Sequence, residues 1–547
     1  MKSEMRYLVA ALLAIPVIVS AQDPAPAKID AIFARFGRQD SPGCILGVSR
    51  GGKVVYEKGY GMADLERDVP ITPASIFHVA SISKQFTAMS ILLLEQQGKL
   101  SIDDEVRKYI PELPDYGKRI TLRHLLQHTS GIRDQWTLLR IAGWRDDDLI
   151  TEDDVMWAVT RQRALNFDPG AEYLYSNSGF TLLAVIVKRV SGHSLREFAD
   201  DQIFKPLGMT HTHFHDDHTM VVPHRTSAYE PRQAGGWSVS IPVFDTYGAT
   251  SLFTTADDLL RWEQNFGAPV VGSPALLARM QQEGILNDGT RTGYALGIAV
   301  GTHRGVREIG HGGADAGYRA DVERYPDQQL AVAALCNASN SNPGALTRQV
   351  ADLYLGAALA PEASQARQAG AVTVPASRLA AFAGVYRRSS GDVLRLDVRD
   401  GQLWIAEGAR TELLPVSESR FALRDVGGEA VFDSTAAGRV LRLRRGTGRE
   451  QLFQQMTPFS PTSAQLAAFA GRYRSAELET VVDIKATDSS LVFSERRPGS
   501  IVMRPVYTDA FRGDIGITEF SRYATGRVSG FVINAGRVRA LRFDRIE

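Results

Sequence analysis

A ten-residue segment occurs twice in the C-terminal third of this chain, and it restricts how that third can fold. The segment reads LAAFAGVYRR from Leu379 and LAAFAGRYRS from Leu466, an offset of 87 residues. Each copy is followed by short runs of alternating apolar and polar residues, such as VLRLDV and VVDI, which predict antiparallel strands. We therefore expect two copies of one small β-domain, over residues 375–460 and 461–547.

The rest of the chain has a different residue composition and pattern. With 547 residues the protein is longer than one typical domain. Residues 358–374 are rich in Ala, Gln and Pro, which is the composition of a linker. Residues 22–357 combine helical and strand-like patterns, and we expect them to form one domain that contains both.

The N-terminus has the pattern of a secretory signal peptide. Lys2 and Arg6 precede an apolar run from Tyr7 to Val19, and small residues lead to a cleavage site after about Ala21. The run is short for a membrane span, and no later stretch is apolar for long enough to cross a bilayer. The sequence thus predicts a signal peptide over residues 1–21, no membrane span in the mature chain, and a periplasmic or secreted protein.

Charge excludes one class of partner. The 62 Lys and Arg balance the 62 Asp and Glu, and the two signs are interleaved, so nucleic-acid binding has no support. From residue 375 onward, however, 26 basic residues face 20 acidic ones. The two parts of the chain could dock through opposite charges. Runs such as LRLRR equally fit strands that present arginine to water, and this is the interpretation we favour.

The two cysteines, Cys44 and Cys336, lie far apart in the apolar runs CILGV and LAVAALC. An exported protein can form a disulfide, but small buried thiols are also common in such runs. We expect two buried free thiols here.

A candidate nucleophile opens the stretch from Phe77 to Leu100, where Ser81 and Lys84 form a Ser-x-x-Lys pattern ahead of a long apolar run. The run predicts a buried helix that Gly98 ends. Residues three apart share a helix face, so the lysine amine can reach the serine hydroxyl. A lysine at such a site can lose its proton near neutral pH and act as a base.

Two further clusters accompany this pair: Tyr175 and Asn177 in PGAEYLYSN, and His311, Gly312 and Gly313 in GHGG. Together with LLQHTSGI, PLGMTHT and GATSLFTTADDLLRW, in this order, they make residues 28–357 resemble the serine β-lactamase and penicillin-binding protein superfamily. The resemblance is to the branch that contains class C β-lactamases, D-aminopeptidases and related esterases. It implies an α/β (α+β) β-lactamase/transpeptidase-like domain, with an antiparallel sheet flanked by helices. By the same resemblance, the two C-terminal β-domains are small lipocalin-like antiparallel β-barrels.

The resemblance also implies roles for these residues. Ser81 would form an ester with the substrate's acyl group, and Lys84 or Tyr175 would accept its proton. A nearby lysine would lower the pKa of the tyrosine, and the choice of base stays open. Asn177 would hold a substrate amide, and the backbone N–H groups of Ser81 and Ala314 would form the oxyanion hole.

The third cluster departs from the family pattern, because His311 stands where relatives often carry lysine. This histidine would bind the polar end of the substrate or relay a proton, and it can be neutral at pH 7, which weakens the β-lactamase interpretation. Gly312 and Gly313 would let the substrate backbone approach their strand.

A rival signal lies in HTHFHDDH, where His213, His215, Asp217 and His218 match the ligand pattern of metallo-β-lactamases. The segment follows PLGMT, a landmark of the serine family, so we interpret it as a histidine-rich loop. We predict neither a catalytic metal nor a cofactor.

These observations predict an exported serine hydrolase that cleaves short peptides or amides, in the manner of a D-aminopeptidase, through an acyl-enzyme on Ser81. The alternatives are a carboxylesterase or β-lactamase of the same family, or a non-catalytic penicillin-binding or sensor protein. The expected partner is a small molecule or short peptide, and a homodimer is one possible assembly.

Overall fold

A computed structural model describes residues 23–145, 147–361, 372–406, 410–424, 427–436, 438–445, 449–494 and 499–546. The predicted signal peptide and most of the predicted linker lie outside the described residues. Among the helices in the described ranges, none is both long enough and apolar enough to cross a membrane.

The N-terminal domain is built on a six-stranded antiparallel sheet. In spatial order its strands are Ala299–His303, Val306–Asp315, Tyr318–Tyr325, Leu330–Cys336, Cys44–Arg50 and Lys53–Tyr60. The larger helices of the domain are Pro26–Phe33, Ser83–Gln96, Gln135–Ile141, Glu152–Thr160, Asn177–Ser191, Ala256–Asn265, Pro274–Met280 and Pro343–Leu355.

Both faces of this sheet are covered. One face packs on the first and last of these helices, in a core that contains Leu46, Val48 and Val332. The other face packs on the helix Ala256–Asn265, in a core that contains Ile45 and Leu335. Burial on both faces explains why the neighbouring strands Cys44–Arg50 and Leu330–Cys336 read as nearly continuous apolar runs rather than as alternating ones.

The prediction of two free thiols is wrong. The strands Cys44–Arg50 and Leu330–Cys336 are neighbours in the sheet, and their register places Cys44 directly opposite Cys336. The two residues form a disulfide, although 292 residues separate them in sequence. The apolar flanking residues correctly predict that both cysteines are buried. Only the order of the strands in the sheet brings the two sulfur atoms together.

The predicted buried helix is confirmed. It spans Ser83–Gln96, and most of its side chains are buried, with the helix Asn177–Ser191 as its main neighbour. It ends just before Gly98, whose φ of 70° is unfavourable for residues with a side chain. A short 3-10 turn, Ala80–Ile82, precedes the helix and carries Ser81.

The C-terminal region forms two closed eight-stranded antiparallel barrels, as predicted. The first contains the strands Gly384–Arg387, Val393–Arg399, Gln402–Ile405, Thr411–Pro415, Arg420–Leu423, Gly428–Thr435, Gly438–Arg445 and Gln451–Met456. The second contains Gly471–Ser475, Thr480–Ala486, Leu491–Ser494, Ser500–Tyr507, Ala510–Gly513, Gly516–Arg522, Val528–Asn534 and Leu541–Arg545.

The repeated segment has the same structure and forms the same hydrogen bond in both barrels. It forms a short helix that leads into the first strand, where the Tyr386 hydroxyl donates to the Phe382 carbonyl at 2.8 Å. In the second copy, the Tyr473 hydroxyl donates to the Phe469 carbonyl at 2.6 Å. Both tyrosines are fully buried. The repeat is therefore a closing element that joins the helix to the barrel wall.

The second barrel shares its core with the N-terminal domain, whereas the first barrel has a core of its own. A buried ion pair crosses the interface of the second barrel, from Arg133 to Glu477 at 2.5 Å. The second barrel is thus packed as an integral part of the N-terminal domain.

Opposite charges contribute to the packing of the barrels on the N-terminal domain, which is the alternative that the sequence did not favour. Arg388 of the first barrel and Arg539 of the second both pair with Glu172 of the N-terminal domain, at 3.4 and 3.2 Å. Arg449 pairs with Asp288 at 3.0 Å. Other arginines lie on the outer faces of the strands, as expected, including Arg420, Arg442 and Arg444.

Candidate active site

The predicted nucleophile and the predicted lysine meet. Lys84 Nζ lies 3.1 Å from Ser81 Oγ, and it donates to Asn177 Oδ1 at 2.9 Å and to the Ala249 carbonyl at 2.6 Å. The Lys84 side chain is fully buried. Three oxygens thus hold the amine in one position beside the serine hydroxyl.

The surroundings of Lys84 favour its neutral form. Burial lowers the pKa of Lys84 well below that of an ordinary lysine, and the positive charge of Arg537 lowers it further. Asp134 and Asp315 act in the opposite direction but more weakly. None of the three bonded oxygens is a carboxylate, so no direct ion pair retains the proton.

Asn177 is held by a residue that the sequence analysis missed. The backbone N–H and the side-chain Nδ2 of Asn177 both donate to Asp134 Oδ2, at 2.8 and 2.9 Å. This orientation turns Asn177 Oδ1 toward Lys84. Asp134 is the last residue of the segment ITLRHLLQHTSGIRD. The only feature of the sequence that pointed to it is its position just after the motif LLQHTSGI.

Tyr175 lies beside the pair, with its ring centre 4.8 Å from Lys84 Nζ. Its hydroxyl oxygen is buried and makes no hydrogen bond of ordinary geometry with the described residues. The prediction of a lowered pKa is wrong: burial raises the pKa of Tyr175, and the smaller lowering effects of Ser81 and Arg537 do not compensate. The cost of removing the phenolate from water therefore exceeds the stabilisation that nearby groups give it.

His128 was also missed, although it lies within the quoted motif LLQHTSGI. Its ring packs 4.1 Å from that of Tyr175, centre to centre, and its Nδ1 accepts the Ser176 N–H at 3.2 Å. The residue has a φ of 57° and is buried, and burial lowers its pKa. His128 therefore acts as a neutral support that positions Tyr175.

His311 lines the same cleft, with its ring centre 6.2 Å from that of Tyr175. Its Nδ1 lies 2.6 Å from the Gly312 carbonyl, and its Nε2 lies 2.9 Å from the Tyr294 hydroxyl. A carbonyl only accepts, so Nδ1 carries the hydrogen and Nε2 accepts from the tyrosine. Burial lowers the pKa of His311 to about 4, which leaves the imidazole neutral.

Gly313 has a structural role in addition to the predicted role in substrate binding. A Cβ at this position would lie 2.2 Å from the Val79 carbonyl oxygen, so the absence of a side chain lets the strand Val306–Asp315 approach the turn that carries Ser81. Gly312 is less confined, and Ala314 follows it along the cleft wall.

These residues share one cleft of about 900 Å³. Ser81, Tyr175, Asn177 and His311 line it at one end, together with Gly312, Gly313 and Ala314. Trp136, Trp144 and Phe244 form an apolar wall. Arg537 reaches the cleft from the second barrel, and no sequence pattern pointed to it.

The histidine-rich segment does not assemble the predicted rival ligand set. His213 and His215 turn inward around Phe253, and burial lowers the pKa of each to about 4. Asp217 and His218 lie at the surface, where His218 pairs with Asp245 at 3.0 Å. Within the described part of the chain, Asp217, His218 and Asp245 are the one group of His, Cys, Asp or Glu residues close enough together to share a metal ion.

Comparison with known proteins identifies the chain. The profile of the β-lactamase family matches residues 29–357. The chain belongs to the β-lactamase family.

Relatives extend the likeness into the barrels. The D-aminopeptidase of Brucella anthropi is 26% identical over 530 residues, which cover 92% of this chain and 96% of that protein. Penicillin-binding protein 4* of Bacillus subtilis is 27% identical over 426 residues, or 74% of this chain and 93% of that one. The octameric penicillin-binding protein homologue from Pyrococcus abyssi shares the fold, with a TM-score of 0.57 at 24% identity, over 78% of this chain and 99% of its own.

The predicted family and fold are thus confirmed, and this β-lactamase family member is a serine hydrolase. The roles assigned to single residues, the substrate, the predicted domain limits and the homodimer stay predictions.

Proposed function

We propose that this serine hydrolase cleaves short peptides or amides, including those of D-residues, through an acyl-enzyme on Ser81. The observation that carries the proposal is the buried Lys84 amine, which three oxygens hold in place at 3.1 Å from Ser81 Oγ and whose pKa burial lowers. The similarity of nearly the whole chain to a D-aminopeptidase supports the substrate class.

The directions of the pKa shifts favour Lys84 as the base, a choice that the sequence left open. Burial lowers the pKa of Lys84, and its amine lies next to the Ser81 hydroxyl, so it accepts the Ser81 proton as Oγ attacks the acyl carbon. Tyr175 keeps its proton at neutral pH because burial raises its pKa. A protonated phenol suits the opposite task, which is donation to the leaving group.

The bonds and protons of the proposed reaction balance as follows. Attack forms the Ser81 C–O bond and an oxyanion, for which the N–H groups of Ser81 and Ala314 are the candidate donors. The C–N bond breaks as Tyr175 protonates the leaving amine, and the Lys84 ammonium restores the phenol proton. Water next loses a proton to the neutral lysine and cleaves the ester, and the proton returns to Ser81.

Two features narrow the substrate. The apolar wall of Trp136, Trp144 and Phe244 suits a hydrophobic side chain next to the reacting carbonyl. His311, which burial keeps neutral, supplies no positive charge for a substrate carboxylate from the strand position where relatives often carry lysine.

The buried disulfide fits a protein that folds outside the cytoplasm, as the predicted signal peptide requires.

The test combines labelling with turnover. A fluorophosphonate probe should label the wild type and not Ser81→Ala, with Ser83→Ala as a control at a neighbouring buried serine. Turnover should be measured on D- and L-alaninamide, a p-nitrophenyl ester and a cephalosporin, and the D-amide should have the highest kcat/KM. Labelling that persists in Ser81→Ala removes the nucleophile, and a higher kcat/KM for the ester or the cephalosporin replaces the proposed substrate class.

A further inference from the structure

The second barrel contributes a cation to the catalytic cleft. Residues 535–540, here called the arginine loop, connect the strands Val528–Asn534 and Leu541–Arg545. Arg537 lies in this loop and lines the cleft together with Ser81 and Tyr175. Its guanidinium carbon lies 4.8 Å from the centre of the Tyr175 ring, over which it stacks.

The backbone of the arginine loop is anchored to the N-terminal domain. The Arg537 carbonyl accepts from the Asp134 N–H at 3.3 Å and from Asn166 Nδ2 at 2.9 Å. Asn166 Oδ1 in turn accepts the Arg539 N–H at 2.8 Å, and the Arg539 carbonyl accepts twice from Arg133. A loop held at so many points presents its side chain in a defined place without a further ordering cost.

The guanidinium itself is not fully used by the protein. Its nearest carboxylate is Asp134, at 3.9 Å, and the same oxygen of Asp134 already accepts two N–H groups of Asn177. No hydrogen bond joins the Arg537 side chain to another described residue, and 45% of that side chain is exposed. Its donors are thus open to a ligand in the cleft.

The basic groups closest to Ser81 cannot replace this charge, because burial holds both Lys84 and His311 toward their neutral forms. Arg140, Arg145 and Arg319 also line the cleft. Arg537 is the arginine that stacks on the Tyr175 ring, and it therefore places positive charge next to Ser81 and Lys84. A guanidinium recognises a carboxylate through two parallel N–H bonds and repels an ammonium.

We propose that Arg537 is a specificity-determining residue that binds a carboxylate of the substrate, so that carboxylate-bearing peptides or amides are preferred over neutral ones. This inference rests on the proposed function. The carboxylate has two possible sources with the same chemistry: the C-terminus of the leaving residue, or an acidic side chain on the acyl residue.

Binding to the Ser81→Ala protein tests the inference without turnover. Calorimetry would compare two matched pairs of ligands: D-Ala-D-Ala with D-Ala-D-alaninamide, and D-aspartic acid α-amide with D-asparagine α-amide. We expect the carboxylate member of at least one pair to bind roughly 10- to 100-fold more tightly, the range for a charge-assisted hydrogen bond. The pair that shows the preference identifies the source of the carboxylate.

The added change Arg537→Gln should abolish that preference, and Arg537→Lys should retain part of it. The matched control is Arg527→Gln, an exposed arginine of the same barrel outside the cleft, which should leave the preference unchanged. Circular dichroism melts would show that each variant is folded.

Two results would overturn the inference: equal binding within both pairs, or a preference that survives Arg537→Gln. Failure of the proposed function would look different, because it would appear as loss of Ser81 labelling or of amide turnover in the wild type. The binding experiment would still decide the role of Arg537 in that case.

Discussion

Glu477 offers the sharpest test of how the second barrel is joined to the catalytic domain. Its carboxylate lies in the interface, accepting from Arg133 at 2.5 Å and from the Arg163 N–H at 3.0 Å. The side chain of Arg133 is 1% exposed and that of Glu477 is 7% exposed. Removal of one partner would therefore leave the other charge buried without a counter-charge.

The expected magnitude follows from that burial. Breaking a buried pair by removing one partner costs about 3–5 kcal/mol, because the remaining ion is no longer compensated. Glu477→Ala should approach this cost. Glu477→Gln keeps an oxygen for the two donors and should lose about 1.5–3 kcal/mol, the range for a hydrogen bond to a charged group.

A nearby pair supplies the control. Glu479 lies two residues further on and pairs with Arg161 at 3.6 Å, but the two side chains are 55% and 40% exposed. Glu479→Gln should therefore change stability by less than about 1 kcal/mol.

The assay is thermal melting together with limited proteolysis and turnover. Several domains unfold here, so the first transition is the relevant one. Glu477→Ala should lower its midpoint by several degrees and expose the barrel junction to protease. Turnover should fall as well, because Arg133 also anchors the arginine loop through the Arg539 carbonyl. If Glu477→Gln and Glu479→Gln melt alike, the buried pair does not hold the interface and the argument fails.

Three further predictions concern pH and the disulfide. In the pH profile of kcat/KM, the ascending limb should lie well below the usual lysine range, because burial lowers the pKa of Lys84; a limb near pH 10 would contradict this. Replacing Cys44 and Cys336 together by Ala should cost about 2–5 kcal/mol, seen as a lower melting midpoint, while reductant should have no effect on that variant. Burial raises the pKa of Asp321, so its contribution to stability is present at acid pH and is lost as the pH rises through that pKa. Asp321→Asn should therefore flatten the decline in melting temperature above pH 5, and an unchanged slope would contradict this.

Local relations explain what could be predicted from the sequence. Ser81 and Lys84 are three residues apart at the start of a helix, so their contact needs only helical geometry. Gly98 ends that helix because its φ is positive. The repeat beginning at Leu379 and Leu466 predicted two β-domains, and each copy supplies the first strand of a barrel, which pairs with the last strand and closes it.

Other features depend on neighbours that are remote in sequence. The pKa of Tyr175 was predicted in the wrong direction because the prediction counted a nearby cation and not the desolvation of a buried phenol. The cysteines were predicted to be free because nothing near them in the sequence shows which strands are adjacent. Asp134 had no pattern of its own, and its role appears only where it accepts from Asn177.

The amino-acid sequence by itself determined the candidate nucleophile, its lysine neighbour, the family pattern and the two β-domains, since each depends on residues close together in the chain or on motifs in a characteristic order. Only the tertiary structure decided the directions of the pKa shifts in the site, the disulfide and the entry of Arg537 into the cleft. The physical reason is that desolvation and long-range charge depend on what surrounds a group in space. No local pattern of residues specifies that a loop of the last barrel will supply part of that surrounding.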